Sequence, residues 1–140
     1  MHDLGKIYIE KKILAKDGNL TPEETERMHQ HPKLGFDRLR IYPDLSILSA
    51  HVAYQHHERE DGSGYPRGLS SKEIHPFAKI VAVADSYDAM VSMRPYRKPV
   101  FNHIAIAELK AKSPTKYDQK MATALSWAVA PYPLGSVVVL

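Results

Sequence analysis

Eight histidines stand among the 140 residues, and several lie beside carboxylates or beside each other: His2-Asp3, His29 and His31, His51, His56-His57, His75 and His103. The chain has no cysteine. That excludes disulfides, thiolate zinc sites, iron–sulfur clusters and cysteine nucleophiles together, so any bound metal must take His, Asp or Glu. Adjacent residues on a helix point about 100° apart, so His56-His57 could reach two metal ions lying side by side. His29 and His31, about 200° apart on a continuous helix, cannot face one site together, and at most one of them is a ligand. His51, His75 and His103 read as structural or surface histidines. Asp85 falls in the middle of the apolar segment AKIVAVADSYDAMV, where an unpaired carboxylate would be costly. It needs a metal or a hydrogen-bond donor, a cap or salt bridge being the plainer alternative. Asp88, one turn on, is a natural partner for it.

The elements that must position these residues read as short helices joined by Pro- and Gly-marked loops, an all-α domain. Thr21, Pro22 and Glu24 have the pattern of an N-cap, a first helical residue and a capping-box partner. The helix they begin is expected to run through Met28 toward His31, bend near Pro32 and resume from Leu34 to Leu39. Leu45, Leu48, Val52 and Gln55 mark another helix ending near His57. From Glu58 to Leu69 the chain reads EREDGSGYPRGL, which excludes helix and predicts an exposed functional loop. Phe77 to Val91 is apolar almost all round, as in a helix buried on most faces. Two more helices are expected at roughly 100–112 and 114–129, with Ile104, Ala107, Leu109 and Met121, Leu125, Val129 as core faces. The β-branched end, residues 137–140, reads as the start of a strand, which is not stable without a partner.

Hydrophobic residues make up 44% and charged residues 25% of the sequence, values of an ordinary soluble domain with one core. The net charge is +3 without a clustered basic block, which argues against a nucleic-acid polymer as partner and is compatible with a small anionic ligand. No apolar run is long enough to span a bilayer and no signal pattern opens the sequence, so no membrane association is expected and the cytoplasm is the expected location.

The segments His2-Asp3-Leu4-Gly5-Lys6, Met28-His29-Gln30-His31-Pro32, His56-His57-Glu58 and Asp61-Gly62-Ser63-Gly64-Tyr65-Pro66-Arg67-Gly68-Leu69 occur in an order that resembles the HD-GYP domain. Asp85-Ser86-Tyr87-Asp88-Ala89 and Arg94-Pro95-Tyr96-Arg97-Lys98 continue the pattern, so the resemblance covers at least residues 2–110. It implies an HD-domain-like helical bundle that hydrolyses the bacterial second messenger cyclic di-GMP at two or three divalent ions, iron or manganese. It also implies that His2, Asp3, His31, His56, His57 and Asp85 are metal ligands, with Asp3 bridging two ions. Asp3 and Lys6 would be catalytic, Lys6 touching the scissile phosphate. Lys6, Tyr65, Arg94 and Arg97 would contact substrate; the plainer reading of the two arginines is a solvated basic loop.

The sequence departs from the family pattern in places. Lys79 stands where Arg is usual and Ser71 where Gly is common. The family domain has further helices upstream, one carrying another metal-binding His, and only Met1 precedes His2. Residues 1–130 are therefore expected to be a partial HD-GYP domain with impaired activity, taken from a multidomain parent. Residues 131–140 would begin a following β element or linker. Two alternatives stand beside the phosphodiesterase: a degenerate signalling module that binds ligand or a partner protein through the GYP loop, and a general HD-family nucleotide phosphohydrolase.

Overall fold

The computed structural model describes residues 1–93, 98–133 and 135. A 3₁₀ helix at Leu4–Tyr8 is followed by α1 (Lys11–Leu14), α2 (Pro22–Met28), α3 (His31–Leu39), α4 (Ile47–Gln55), α5 (Pro76–Val91), α6 (Asn102–Ala111) and α7 (Gln119–Ala128). The all-α expectation holds, and the extended pairing among the described residues is one isolated bridge, Asp61 to Ser70. The expected C-terminal strand and the Arg94–Arg97 segment lie outside the described residues. No helix among the described residues is long and apolar enough to cross a membrane.

Thr21 closes the expected capping box: its hydroxyl accepts from the Glu24 N–H, and the Glu24 carboxylate accepts from the Thr21 N–H. The next boundary departs from expectation. The helix ends at Met28 and a new one begins at His31, with Pro32 in its first turn, where a missing N–H costs nothing. Proline here starts a helix instead of bending one.

Two apolar groups hold the helices. Leu39, Ala50 and Ala53 join α3 to α4, with Leu4 of the 3₁₀ helix and Phe36 packed against them. Val83, Met90, Ala105, Leu109 and Ala122 join α5, α6 and α7. The core face of α6 is therefore Ala105, Ile106 and Leu109, and the expected Ile104 and Ala107 are exposed, because the helix presents 105, 106 and 109 to α5 and α7. Met121 and Leu125 pack against the core as expected. α5 is less enclosed than its composition suggests, since Phe77 and Ile80 stay about half exposed. Buried Gln55 links the two halves: its side-chain carbonyl accepts from the His75 N–H at 2.8 Å, fixing the start of α5 against the end of α4.

Among the glycines Gly5 is the most tightly enclosed: a Cβ there would lie 1.9 Å from the His31 carbonyl oxygen and 2.6 Å from the Gly35 amide nitrogen. Only glycine lets the 3₁₀ helix lie on α3 at this distance, which is what carries Asp3 to His31. Gly5→Ala is expected to cost about 1–3 kcal/mol through overpacking. In urea unfolding the midpoint should fall; a midpoint equal to that of the parent would show that the two helices separate freely.

Candidate metal centre

His31 opens α3, and its Nδ1 lies 2.7 Å from the Met28 carbonyl oxygen; His56 ends α4, and its Nδ1 lies 2.9 Å from the Ala53 carbonyl oxygen. A carbonyl only accepts, so in both rings the proton sits on Nδ1 and the lone pair on Nε2 points away from the helix. Both lone pairs aim at one atom, Asp3 Oδ1, at 3.4 Å from His31 and 3.7 Å from His56. The rings are 1% and 0% exposed, and all three facing atoms are buried without a hydrogen-bond partner. Three acceptors meeting with no proton between them is the arrangement a cation satisfies.

His57 completes this group, with donor atoms of Asp3, His31, His56 and His57 all within 4.8 Å of one another. A second group of His2, Asp3 and Asp85 meets the same criterion and shares Asp3. The two oxygens of Asp3 divide between them: Oδ1 faces His31 and His56, while Oδ2 lies 3.5 Å from His2 Nε2 and 2.6 Å from Lys6 Nζ. His2 Nε2 is also 3.7 Å from Asp85 Oδ1. All six residues expected to hold metal thus converge, although they are spread from position 2 to position 85. The donor set of imidazole and carboxylate fits two divalent ions of intermediate hardness.

Electrostatics follow from this crowding. The Asp3 and Asp85 carboxylates beside it push His2 up to about 9. Burial works to raise Asp3, but His2 and the Lys6 ammonium hold it far below the usual carboxylate range. Asp85 is likewise lowered against its burial, through His2 and the nearby imidazoles. His57 is pushed down to about 2, first by burial and then by the neighbouring His56 and His31.

The Gly-rich loop folds back onto this centre. Tyr65 stacks on His57 at 4.6 Å between ring centroids and on His29 at 3.6 Å, so both ring faces are covered and only its hydroxyl edge is left to offer a ligand. His29 does face the site region, because the helix is broken between it and His31 and the 200° argument does not apply there. It remains outside both donor groups, so one of the two histidines is a ligand candidate, as expected. His75 caps α5 by accepting from the Phe77 N–H, and His103 stacks between Phe101 and Tyr132, as structural histidines. Asp88 is exposed and bonds Ser92 at the end of α5, so it does not support Asp85. Arg94 and Arg97 lie outside the described residues.

Glu58, 2% exposed, is the site residue that sequence reading missed. Its carboxylate accepts from the Arg67 N–H at 2.9 Å and the Leu69 N–H at 2.8 Å, clamping the loop exit. The signal available was its place between His56-His57 and a Gly-rich segment, where a charged residue reads as solvated.

In the metal-stripped chain these shifts predict a stability maximum near pH 6.5, the ordinary histidine value. His2 is raised, so its contribution is complete below 6.5 and is lost as pH rises through about 9. His57 is depressed, so its contribution is present above 6.5 and is lost as pH falls toward about 2. Urea midpoints measured after chelation should fall from pH 6.5 to about 9, and His2→Asn should flatten that limb. A midpoint rising over this window would contradict the His2 ion pairs.

A family model described as HD domain matches residues 1–121. A cyclic di-GMP phosphodiesterase of Thermotoga maritima is 50% identical over 125 residues, which cover 89% of this chain and 34% of the relative. A cyclic di-GMP phosphodiesterase response regulator of Xanthomonas campestris pv. campestris is 42% identical over 126 residues, covering 89% of this chain and 33% of the relative. The chain spans about a third of the length of these curated relatives. Among solved structures, an HDG"Y"P protein of Bdellovibrio bacteriovorus superposes with a TM-score of 0.71 at 20% identity, covering 91% of this chain and 40% of that one, a likeness of fold. With Asp3 of the His2-Asp3 pair shared by both donor groups, the chain belongs to the HD domain family and carries the HD-GYP signature.

Proposed function

We propose that this chain is the metal-dependent phosphodiesterase domain of a longer bacterial signalling protein, and that its substrate is cyclic di-GMP. The observation that carries the reading is the pair of donor groups sharing Asp3, with three buried acceptor atoms and no proton between them. The relatives named for cyclic di-GMP support the substrate.

In this reading Asp3, His31, His56 and His57 hold one ion and His2, Asp3 and Asp85 the other, iron or manganese by the chemistry of the donors. Two bound divalent ions would supply Lewis acidity toward the phosphoryl oxygens and a water acidic enough to attack at neutral pH. Asp3 holds the two positions in register, one oxygen toward each group. Lys6, on Asp3 Oδ2 and 38% exposed by its side chain, stands where the open side of the centre meets solvent and offers its ammonium to the scissile phosphate. Tyr65 contributes at most its hydroxyl edge. Arg94 and Arg97 grip the remaining phosphate charge, and a partner protein docking on the GYP loop and a cytoplasmic location belong to the same reading.

Metal content of anaerobically purified protein, measured with turnover of cyclic di-GMP, tests the reading. The parent should hold iron or manganese and convert the dinucleotide, and Asp3→Ala should lose metal with a fall in turnover on the order of 100-fold or more. Replacing Arg94 and Arg97 together by Ala should weaken dinucleotide binding and leave metal content unchanged. A protein that takes up neither ion, or an Asp3→Ala variant retaining full metal, would overturn the proposal.

A further inference from the structure

His31 and His56 are each fixed by a hydrogen bond from the ring nitrogen that faces away from the centre, the usual way a protein orients a metal-binding imidazole. His57 differs. Among the described residues no hydrogen bond reaches its ring, and what lies against its face is Tyr65, nearly parallel at 21°. Behind Tyr65 stands His29, stacked at 3.6 Å and 13°.

We infer that Tyr65 is a positioning residue that orients His57 by ring stacking, and that His29 is the backing ring holding Tyr65 in place. This rests on the metal reading proposed above.

The loop is built to put Tyr65 there. The Tyr65 N–H donates to the His57 carbonyl at 3.2 Å, so the two residues are tied through backbone as well as ring. Gly64 lets the loop lie directly on the His-His-Glu segment: a Cβ at this position would come within 2.4 Å of the Arg59 nitrogen and 2.5 Å of Glu58 Cα and the His57 oxygen. The Glu58 carboxylate then holds the returning strand of the loop through the Arg67 and Leu69 N–H groups. The His57 ring is otherwise bounded by His56 at 4.0 Å and His31 at 5.0 Å, which are themselves donors to the same position. Among the described residues Tyr65 is thus the aromatic ring outside the donor set that lies against His57. An aromatic face suits this task, since offset parallel rings attract while leaving both imidazole nitrogens free. Covered on both faces, Tyr65 is poorly placed to stack on a nucleobase, which separates this role from a base-stacking one.

The experiment is a Mn²⁺ titration of the metal-stripped chain followed by electron paramagnetic resonance, with kcat and KM for cyclic di-GMP measured on the same variants. Tyr65→Leu should weaken one Mn²⁺ equivalent on the order of 10- to 100-fold, the range for loss of a ligand-orienting partner, and leave the other unchanged. His29→Leu should weaken that same equivalent several-fold. Tyr65→Phe and His29→Phe, which keep the rings, should bind Mn²⁺ as the parent does. His57→Ala should lose the same equivalent outright. His29 lies at the edge of the stack, so its Leu and Phe variants carry the test if Tyr65→Leu fails to fold. If His57→Ala loses an equivalent while Tyr65→Leu and His29→Leu keep both at parental affinity, the inference is overturned and the metal reading stands. If His57→Ala itself keeps both equivalents, the metal reading fails and takes the inference with it. A raised KM in Tyr65→Phe and Tyr65→Leu alike, with Mn²⁺ binding intact, would make Tyr65 a ligand contact and overturn the positioning role.

Discussion

The rest of the structure depends on one constraint: three acceptor atoms, Asp3 Oδ1, His31 Nε2 and His56 Nε2, face each other in a place water does not reach. Leaving even one buried polar group unpaired costs on the order of 1–3 kcal/mol. Three together persist only where something else meets their lone pairs. The helix boundaries fix this state. His31 begins α3 and His56 follows the end of α4, and at each place a carbonyl three residues back accepts a hydrogen bond from the Nδ1–H. The carbonyl to which each ring turns its back decides which nitrogen points inward, so metal-binding competence is written in the ends of two helices.

The fold around the centre can be understood as a set of tethers that keep these atoms converging. Gly5 lets the 3₁₀ helix touch α3 and brings Asp3 in. Gln55 spans α4 and α5 and so relates His56-His57 to Asp85, thirty residues on. Lys79 on α5 joins Glu60 at 3.1 Å, Ser71 at 3.1 Å and Asp118 at 3.7 Å, tying the loop, α5 and the start of α7 together. Lys79 and Ser71, where the resemblance predicts Arg and Gly, contact each other. A hydroxyl at 71 supplies an acceptor for the compact ammonium of lysine, a point charge with three donors where arginine has a broad fork. The two departures act as a pair.

Much of this was legible in the sequence where a residue type admits few roles. The Thr21 capping box, the unbroken apolar helix around Asp85 and the Gly-rich loop were readable because caps, buried carboxylates and glycine runs each have narrow physical uses. Convergence of the six donors rested on family resemblance, since local spacing does not bring residue 2 to residue 85. What escaped was set by tertiary context. Pro32 reads equally as a bend or a helix start, and the choice lay in where α2 stopped. Glu58 is a charged residue by type and a buried loop clamp by position. His29 and His31 were set on opposite sides by an angle that holds only on a continuous helix. The face of α6 kept Leu109 but took Ala105 and Ile106 in place of Ile104 and Ala107, because α5 and α7, not the helix itself, decide which side is covered.

The burial of the donors is graded, and the gradient bears on how such a site would work. His31 and His56 are sealed at 1% and 0%, whereas the side chains of His2 and Asp3 are 35% exposed and that of Asp85 is 21%. Two imidazoles of one donor group are therefore sealed in the interior and held by backbone carbonyls. The other group opens to solvent on the side where Lys6 stands. A phosphodiester is a large, strongly hydrated anion, and it can approach the centre only from the open side. There a phosphodiester substrate would meet the Lys6 ammonium, on the side where a catalytic metal site keeps a position open and a purely structural one does not. Asp3 lies on the boundary with one oxygen on each side. It is the residue shared by both donor groups, so the fixed setting of His31 and His56 would hold the inner side of the centre still while substrate enters and leaves on the outer side.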